Sequence, residues 1–477
     1  MDNLIVLAEK EVEQHKNLVE SDIYRLKYHL MPPVGLLNDP NGFIQWRGKY
    51  YLFYQWNPFK TGHGAKFWGL YTSTNLVDWQ DQGIALAPTD WFDKNGCYSG
   101  SAVEDENGVL TLFYTGNVKD EQNNRSSYQC KAISTDGITF TKQGVAVELP
   151  KGYTPHFRDP KVWKHENTWY MIIGAQAEDQ TGKAVLFKSD DLNEWQHLGI
   201  IAGDHVGNLG DFGYMWECPD LFELQGKDVL IVSPQGLEPE GILYHNKYQS
   251  GYFIGQLNYE QVTFEHGEFV ELDRGFEFYA PQTTVDEKGR RLMVGWMGVP
   301  EQGEDQQPTV EHKWVHTLTL PRELKFVNEK LYQVPVDELQ LLRKEEVHHQ
   351  SVFIENEEKQ LEGVSGDVLE LYAQIKELEG QFEITIRDYA RIHFDKEAKL
   401  FTLERPSFEN GEREVRQCVI DQLDELTIYL DTSSIEIFIN NGQEVFSSRI
   451  FPSKENKQIV FNSPDKALFD VKKWNLN

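Results

Sequence analysis

Five times along its first 300 residues, the chain places a polar motif about twelve positions ahead of an apolar strand, a spacing that leaves few folds open. Asn38-Asp39-Pro40-Asn41-Gly42 precedes Tyr50-Tyr51-Leu52-Phe53-Tyr54, and Tyr98-Ser99-Gly100-Ser101 precedes Leu110-Thr111-Leu112-Phe113-Tyr114. Arg158-Asp159-Pro160 leads to Trp169-Tyr170-Met171-Ile172-Ile173, and Glu217-Cys218-Pro219-Asp220 to Val229-Leu230-Ile231-Val232. The last pair is Tyr279-Ala280-Pro281-Gln282 and Leu292-Met293-Val294-Gly295-Trp296. A period of about 60 residues built of short strands is the signature of propeller blades. If each motif opens the innermost strand of its blade, all five converge on one axis and gather Asp39, Asp159 and Glu217 around a single pocket.

A turn-plus-aromatic element repeats in the same region. Ser73-Thr74-Asn75-Leu76-Val77-Asp78-Trp79 is echoed by Ser189-Asp190-Asp191-Leu192-Asn193-Glu194-Trp195, and more loosely by Ser134-Thr135-Asp136-Gly137-Ile138-Thr139-Phe140. Each turn delivers an aromatic that can plug the gap between blades. Residues 3–20, with Leu4, Leu7, Val12, Leu18 and Val19 at helical spacing, predict a surface helix. Past a short helical stretch at 333–343, period-two alternation returns, as in Val368-Leu369-Glu370-Leu371-Tyr372 and Phe382-Glu383-Ile384-Thr385-Ile386. Ile435–Ile439 and Glu444–Phe446 flank an Asn-Gly turn and read as a hairpin. The expected fold is all-β: a helical extension at 1–25, a five-bladed β-propeller at 26–330, a linker at 331–345, and a C-terminal β-sandwich of two antiparallel sheets at 346–477.

The formal charge of −30 excludes nucleic acid and anionic membrane as partners. Four cysteines without a CxxC pair do not suggest a zinc site and suit a reducing compartment. The charged start lacks a signal-type apolar segment, and no apolar run is long enough to span a bilayer, so a cytoplasmic protein is expected.

Each acid motif standing alone is an ordinary turn or loop. Their equivalent placement in successive repeats points instead to chemistry. Retaining glycoside hydrolysis uses two carboxyl groups about 5–5.5 Å apart, one as nucleophile and one as acid/base. Asp39, beside the donors of a turn, suits the nucleophile. Glu217, flanked by Met215-Trp216 and Cys218-Pro219 that would exclude water, suits the acid/base. Asp159 beside Arg158 is expected to stay charged and to hold sugar hydroxyls. Cys218 has no activating base in view and is not a candidate nucleophile.

These three motifs closely resemble those of glycoside hydrolase family 32, the invertases and fructan hydrolases. The resemblance covers the whole chain and implies a propeller joined to a β-sandwich. It also implies Asp39 as nucleophile, Asp159 as transition-state stabiliser and Glu217 as acid/base. Asn38, Gln55, Trp68, Tyr98, Ser99, Arg158 and Trp296 match places where family members line the fructose subsite, Tyr98 standing where Phe is usual. Tyr28-His29-Leu30-Met31-Pro32-Pro33, Gly62-His63-Gly64-Ala65-Lys66-Phe67-Trp68-Gly69 and Tyr248-Gln249-Ser250-Gly251-Tyr252 resemble the bacterial branch that cleaves phosphorylated sucrose.

Where plain invertases place a Trp, this chain has His63. His63 and Lys66 are therefore candidates for a local phosphate site, aided by His245 or Lys247, and equally for a loop His and a solvated Lys. A cluster within a Debye length of about 8 Å outweighs the global charge. His156 is a candidate for orienting substrate or for capping a loop. The function implied is a β-fructofuranosidase acting on sucrose or sucrose 6-phosphate. Inulin or levan hydrolysis, and a carbohydrate-binding propeller without turnover, are the competing readings. No metal or organic cofactor is implied, since protonation and carboxylate attack supply the chemistry.

Overall fold

The structure is a computed structural model that describes residues 3–477; Met1 and Asp2 of the expected helical extension lie outside the described residues. The chain opens with a helix, Leu4–Glu20, whose Asn3 side chain accepts a hydrogen bond from the Ile5 amide at 3.1 Å. Its buried residues Ala8 and Val19 join an apolar cluster with Leu26, Val34 and Trp314.

Five four-stranded antiparallel meanders follow, and each begins with the strand that carries a repeated motif: Gly35–Trp46, Cys97–Glu104, Tyr153–His165, Met215–Leu224 and Tyr279–Val285. The five-bladed reading holds. After the second strand of blade five, Trp314–Val315 returns to pair in parallel with Gly35 and Leu36, and the Leu318 amide donates to Leu30 O at 2.9 Å. The ring is thus closed by backbone hydrogen bonds between the last blade and the first. The repeated turns also do what their spelling implies. Ser73, Ser134 and Ser189 accept from backbone amides two or three residues on, and the aromatics that follow cross to a neighbouring blade. Phe140 packs edge-on against Phe53 at 5.4 Å, and Trp195 against Phe113 at 5.5 Å. Among the described residues, no helix is long and apolar enough to cross a membrane.

The C-terminal unit has ten antiparallel strands and a core that includes Phe382, Phe461 and Phe469. The expected sandwich forms, and one hydrogen-bonded network links all ten of its strands. The cause is the final strand, Ile459–Leu476, which is shared between both halves. Its first residues pair with Gln381–Ile386, its later ones with Leu369–Glu379, and Arg343–Lys359 follows it throughout across three bulges that let it bend.

The two units meet over buried charges. His29, wholly buried, lies 2.9 Å from Asp431 Oδ2 and 2.9 Å from Glu436 Oε1. Glu436 also accepts from Arg322 at 2.7 Å, and Arg322 reaches Asp273 at 3.1 Å. Each charge here has a hydrogen-bonded partner, which makes burial tolerable and makes removal of one partner costly. Burial by itself would lower the His29 pKa, yet the hydrogen bonds to Asp431 and Glu436 raise it to about 9. The folded value exceeds the unfolded value of about 6.5, so this contribution is fully present below pH ~6.5 and is lost as pH rises towards 9. The melting temperature is therefore expected to fall between pH 6.5 and 9 in wild type, and His29→Asn to be less stable at pH 6.5 with a weaker dependence over that window. Identical profiles for the two proteins would show that the triad does not carry this linkage.

Candidate active site

Five strands converging on one axis cannot all run straight past each other. Each inner strand is interrupted at the same point, with register shifts at Leu37/Pro40, Tyr98/Gly100, Glu217/Asp220 and Tyr279/Gln282, and in blade three opposite Ile172/Gly174. These are bulges, which re-aim side chains toward the axis. Four of them contain Pro40, Pro160, Pro219 or Pro281, where an amide lost from the ladder matters least. In the fifth, a Cβ on Gly100 would sit 1.9 Å from Phe113 O, so only glycine fits. Asp159, Cys218 and Ala280 adopt positive φ, a strain held by the surrounding ring.

The bulges bring equivalent residues to equivalent depths. Asn38, Tyr98, Arg158, Glu217 and Tyr279 occupy one level, and Asp39, Ser99, Asp159, Cys218 and Ala280 the next. All of the first set, with Asp39 and Asp159, line one pocket of about 290 Å³ together with Gln55, His63, Lys66, Arg125, Gln235, Trp296 and Glu301. A larger cavity of about 870 Å³ lies at the downstream ends of the same strands, among Gln45, Glu104, Trp163 and Arg291, but holds none of the three acids. The chemistry belongs to the smaller pocket.

Asp39 Oδ2 accepts from Ser99 Oγ at 2.5 Å and from Gln55 Nε2 at 3.5 Å, and Oδ1 from Asn38 Nδ2 at 3.1 Å. Gln55 also donates to Ser99 Oγ, and Lys66 Nζ donates to Asn38 Oδ1 at 2.8 Å. Asp159 Oδ2 accepts from the Cys218 amide at 3.0 Å. The Cys218 Sγ lies 3.7 Å from Asp39 Oδ2 and 3.5 Å from Asp159 Oδ2, which places both carboxyl groups against one thiol. Glu217 Oε1 accepts from Arg158 Nε at 2.9 Å and Nη2 at 2.6 Å, and Oε2 from Gln235 Nε2 at 2.8 Å and Tyr279 OH at 2.6 Å.

Burial pushes the Asp39 carboxyl up; the Ser99 hydrogen bond draws it down, while the Glu217 charge adds to the rise. Burial likewise raises Asp159 well above the usual carboxylate range, against the pull of Arg158 and with the push of Glu217 and Asp39. Burial lowers the Lys66 ammonium to about 7, although Asp39 and Glu304 favour its charge. Burial and the charge on Asp159 raise the Cys218 thiol, so it is not a thiolate.

Several expectations change. The guanidinium of Arg158 was expected to keep Asp159 charged, but it grips Glu217 instead. Met215 and Trp216 were expected to dry the surroundings of Glu217. Strand alternation turns Trp216 away to stack on Phe253 at 5.6 Å, and Glu217 is ringed by polar donors. Trp68, expected at the fructose subsite, is fully buried beneath it, packs on Phe53 and Tyr114, and donates to Tyr98 O at 3.0 Å. Its cross-strand neighbour Gln55 reaches the pocket instead. Trp296 does line it, edge-on to His63 and Tyr279.

His63 lines the pocket with Nε2 held 3.0 Å from Glu304, and Lys66 is buried rather than solvated. His245 and Lys247 are not among the pocket's lining residues; the His245 ring bonds Gly241 O at 2.9 Å. Motif reading passed over Tyr279, which the repeat does mark as the counterpart of Glu217. It also passed over Gln235 and Arg125, which lie on second and third strands outside any repeated motif.

The chain belongs to glycosyl hydrolases family 32. The N-terminal domain of that family matches residues 29–335 and the C-terminal domain residues 338–475, so the protein is a glycosidase. It is 52% identical over 471 residues to the sucrose-6-phosphate hydrolase of Bacillus subtilis (strain 168), covering 98% of each chain. Its structure is similar to sucrose-6-phosphate hydrolase from Lactobacillus gasseri, with a TM-score of 0.89, 31% identity, and coverage of 98% of this chain and 96% of that one. It is also similar to a Bombyx mori GH32 beta-fructofuranosidase mutant in complex with sucrose, with a TM-score of 0.85, 34% identity, and coverage of 100% and 98%.

Trp68→Ala is expected to lower stability by about 3–5 kcal/mol, as for a large buried aromatic, measured by denaturant melts. A loss below about 1 kcal/mol would mean the ring is not core.

Proposed function

We propose that the chain is a retaining β-fructofuranosidase that hydrolyses sucrose 6-phosphate, and sucrose, to fructose and glucose 6-phosphate or glucose. The observation that carries this reading is the convergence of Asp39, Asp159 and Glu217 from equivalent bulges onto one pocket, in a chain whose relatives are sucrose-6-phosphate hydrolases. In this reading Asp39 attacks the anomeric carbon of the fructosyl unit while Glu217 gives its proton to the departing glucosyl oxygen. The bond from carbon to that oxygen breaks, and a fructosyl ester on Asp39 forms. Glu217, now a carboxylate, takes a proton from water as the water attacks the anomeric carbon; the bond from that carbon to the Asp39 oxygen breaks, which frees fructose and leaves Asp39 a carboxylate and Glu217 protonated.

Arg158, Gln235 and Tyr279 fix the position of the Glu217 carboxyl in the pocket. Ser99 and Asn38 favour the ionised form of Asp39 against burial, as an attacking carboxylate requires. Asp159 holds fructosyl hydroxyls, and its raised pKa lets it donate as well as accept. The unpaired cysteines and a phosphorylated substrate both suit a cytoplasmic location.

Asp39→Asn and Glu217→Gln are each expected to lower kcat at least about 10³-fold with circular dichroism unchanged. Near-normal turnover by either would remove its assigned role. Ser99→Ala takes a donor from the Asp39 carboxylate and raises its pKa further. Because Asp39 must be ionised to attack, the acid limb of kcat/KM moves to higher pH; a shift to lower pH contradicts the nucleophile assignment.

A further inference from the structure

The three substrate-facing basic groups nearest the acids are each committed to a partner. The Arg158 guanidinium grips Glu217, Lys66 Nζ donates to Asn38, and His63 Nε2 is held by Glu304. Arg125 differs. It begins the third strand of blade two, Arg125–Ser134, and reaches the pocket from its rim rather than from the axis. Among the described residues no carboxylate lies within ion-pairing distance of it, and its one side-chain hydrogen bond runs from Nη1 to His156 Nδ1 at 3.4 Å.

That contact is informative. Arg158 Nη1 also lies 3.0 Å from His156 Nδ1. A guanidinium only donates, so Nδ1 must be the acceptor of both and the ring proton sits on Nε2. Burial and the two arginines hold the imidazole neutral, with its pKa lowered to about 4. His156 therefore bridges Arg158, which orients the acid, to Arg125, which has no anion of its own. Two cations sit side by side on this wall and only one is neutralised.

The surroundings of His63 have the opposite character. Glu304 holds the His63 ring, and Glu301 also lines the pocket. A phosphate dianion placed against His63 would meet these carboxylates. One placed against Arg125 would meet an open guanidinium fork, the geometry best suited to phosphate oxygens.

We propose that Arg125 is the phosphate-recognising residue of this pocket, binding the phosphoryl dianion of a sugar 6-phosphate at the mouth beside Arg158, with His156 positioning it. This rests on the reading that sucrose 6-phosphate is a substrate, and it moves the phosphate contact from His63 and Lys66 to Arg125. Arg125 discriminates between substrates; it does no bond-breaking.

The test compares kcat/KM for sucrose 6-phosphate and for sucrose in wild type, Arg125→Ala, Arg125→Lys and His63→Ala, with inhibition by glucose 6-phosphate as a readout independent of turnover. Loss of a charge-assisted contact is expected to lower the ratio of the two kcat/KM values by about tenfold or more in Arg125→Ala and to weaken glucose 6-phosphate inhibition by a similar factor. Arg125→Lys should fall between, because it keeps the charge and loses the fork. His63→Ala should change the ratio by less than about threefold, the scale of a weak or indirect electrostatic effect. Equal losses on both substrates in Arg125→Ala, or a ratio that only His63→Ala moves, overturns the assignment. A wild-type enzyme that cleaves sucrose but not sucrose 6-phosphate overturns the functional reading itself, and that failure is visible before any variant is made.

Discussion

The architecture turns on the crowding of five strands around a common axis. Neighbouring backbones approach so closely there that a straight ladder does not fit, and every inner strand breaks register at the same level. The break is where the site comes from. An unbroken strand would send alternate side chains to its two faces, whereas the bulge turns two consecutive residues, such as Arg158 and Asp159, toward the pocket. Proline or glycine at the next position is the backbone's answer to the same crowding.

Bringing three carboxyl groups together in a buried place is electrostatically costly, and the surroundings offset that cost unevenly. Glu217 receives four hydrogen bonds, two of them from Arg158. Asp39 receives neutral donors and the remote charge of Lys66. Asp159 has a backbone amide and a neutral thiol and is left with a carboxyl that burial pushes up. Three acids of similar intrinsic strength thereby become three different chemical groups, which division of labour in glycoside cleavage requires. The same principle acts at the seam between the units, where His29 and Arg322 pair with Asp431, Glu436 and Asp273 away from water.

The blades, their inner strands and the three acids were legible because each is written locally and repeated. The Ser-turn-aromatic element was legible for the same reason, and its rings cross between blades as its spelling implies. Single residues without a repeat were harder to read. Trp68 was placed at the fructose subsite by resemblance, yet packing against Phe53 of its own blade and Tyr114 of the next buries it. Tyr279 fell in a repeat but lacked the acid that draws attention. Gln235 and Arg125 reach the pocket from strands two and three, and no local pattern marks where a strand end will point.

Periodicity and motif spacing by themselves determined the number of blades, the strand that leads each one, and that Asp39, Asp159 and Glu217 meet in one pocket. Short-range propensities and a regular repeat suffice for that, because equivalent segments must take equivalent places around a ring. Only the tertiary structure decided which partner each charge takes: Arg158 with Glu217 rather than its neighbour Asp159, Lys66 with Asn38, and Arg125, among the described residues, with no ion-paired acid. Pairing depends on distances between blades and on how deeply each group is buried, and those are properties of the assembled ring, not of any stretch of chain within it.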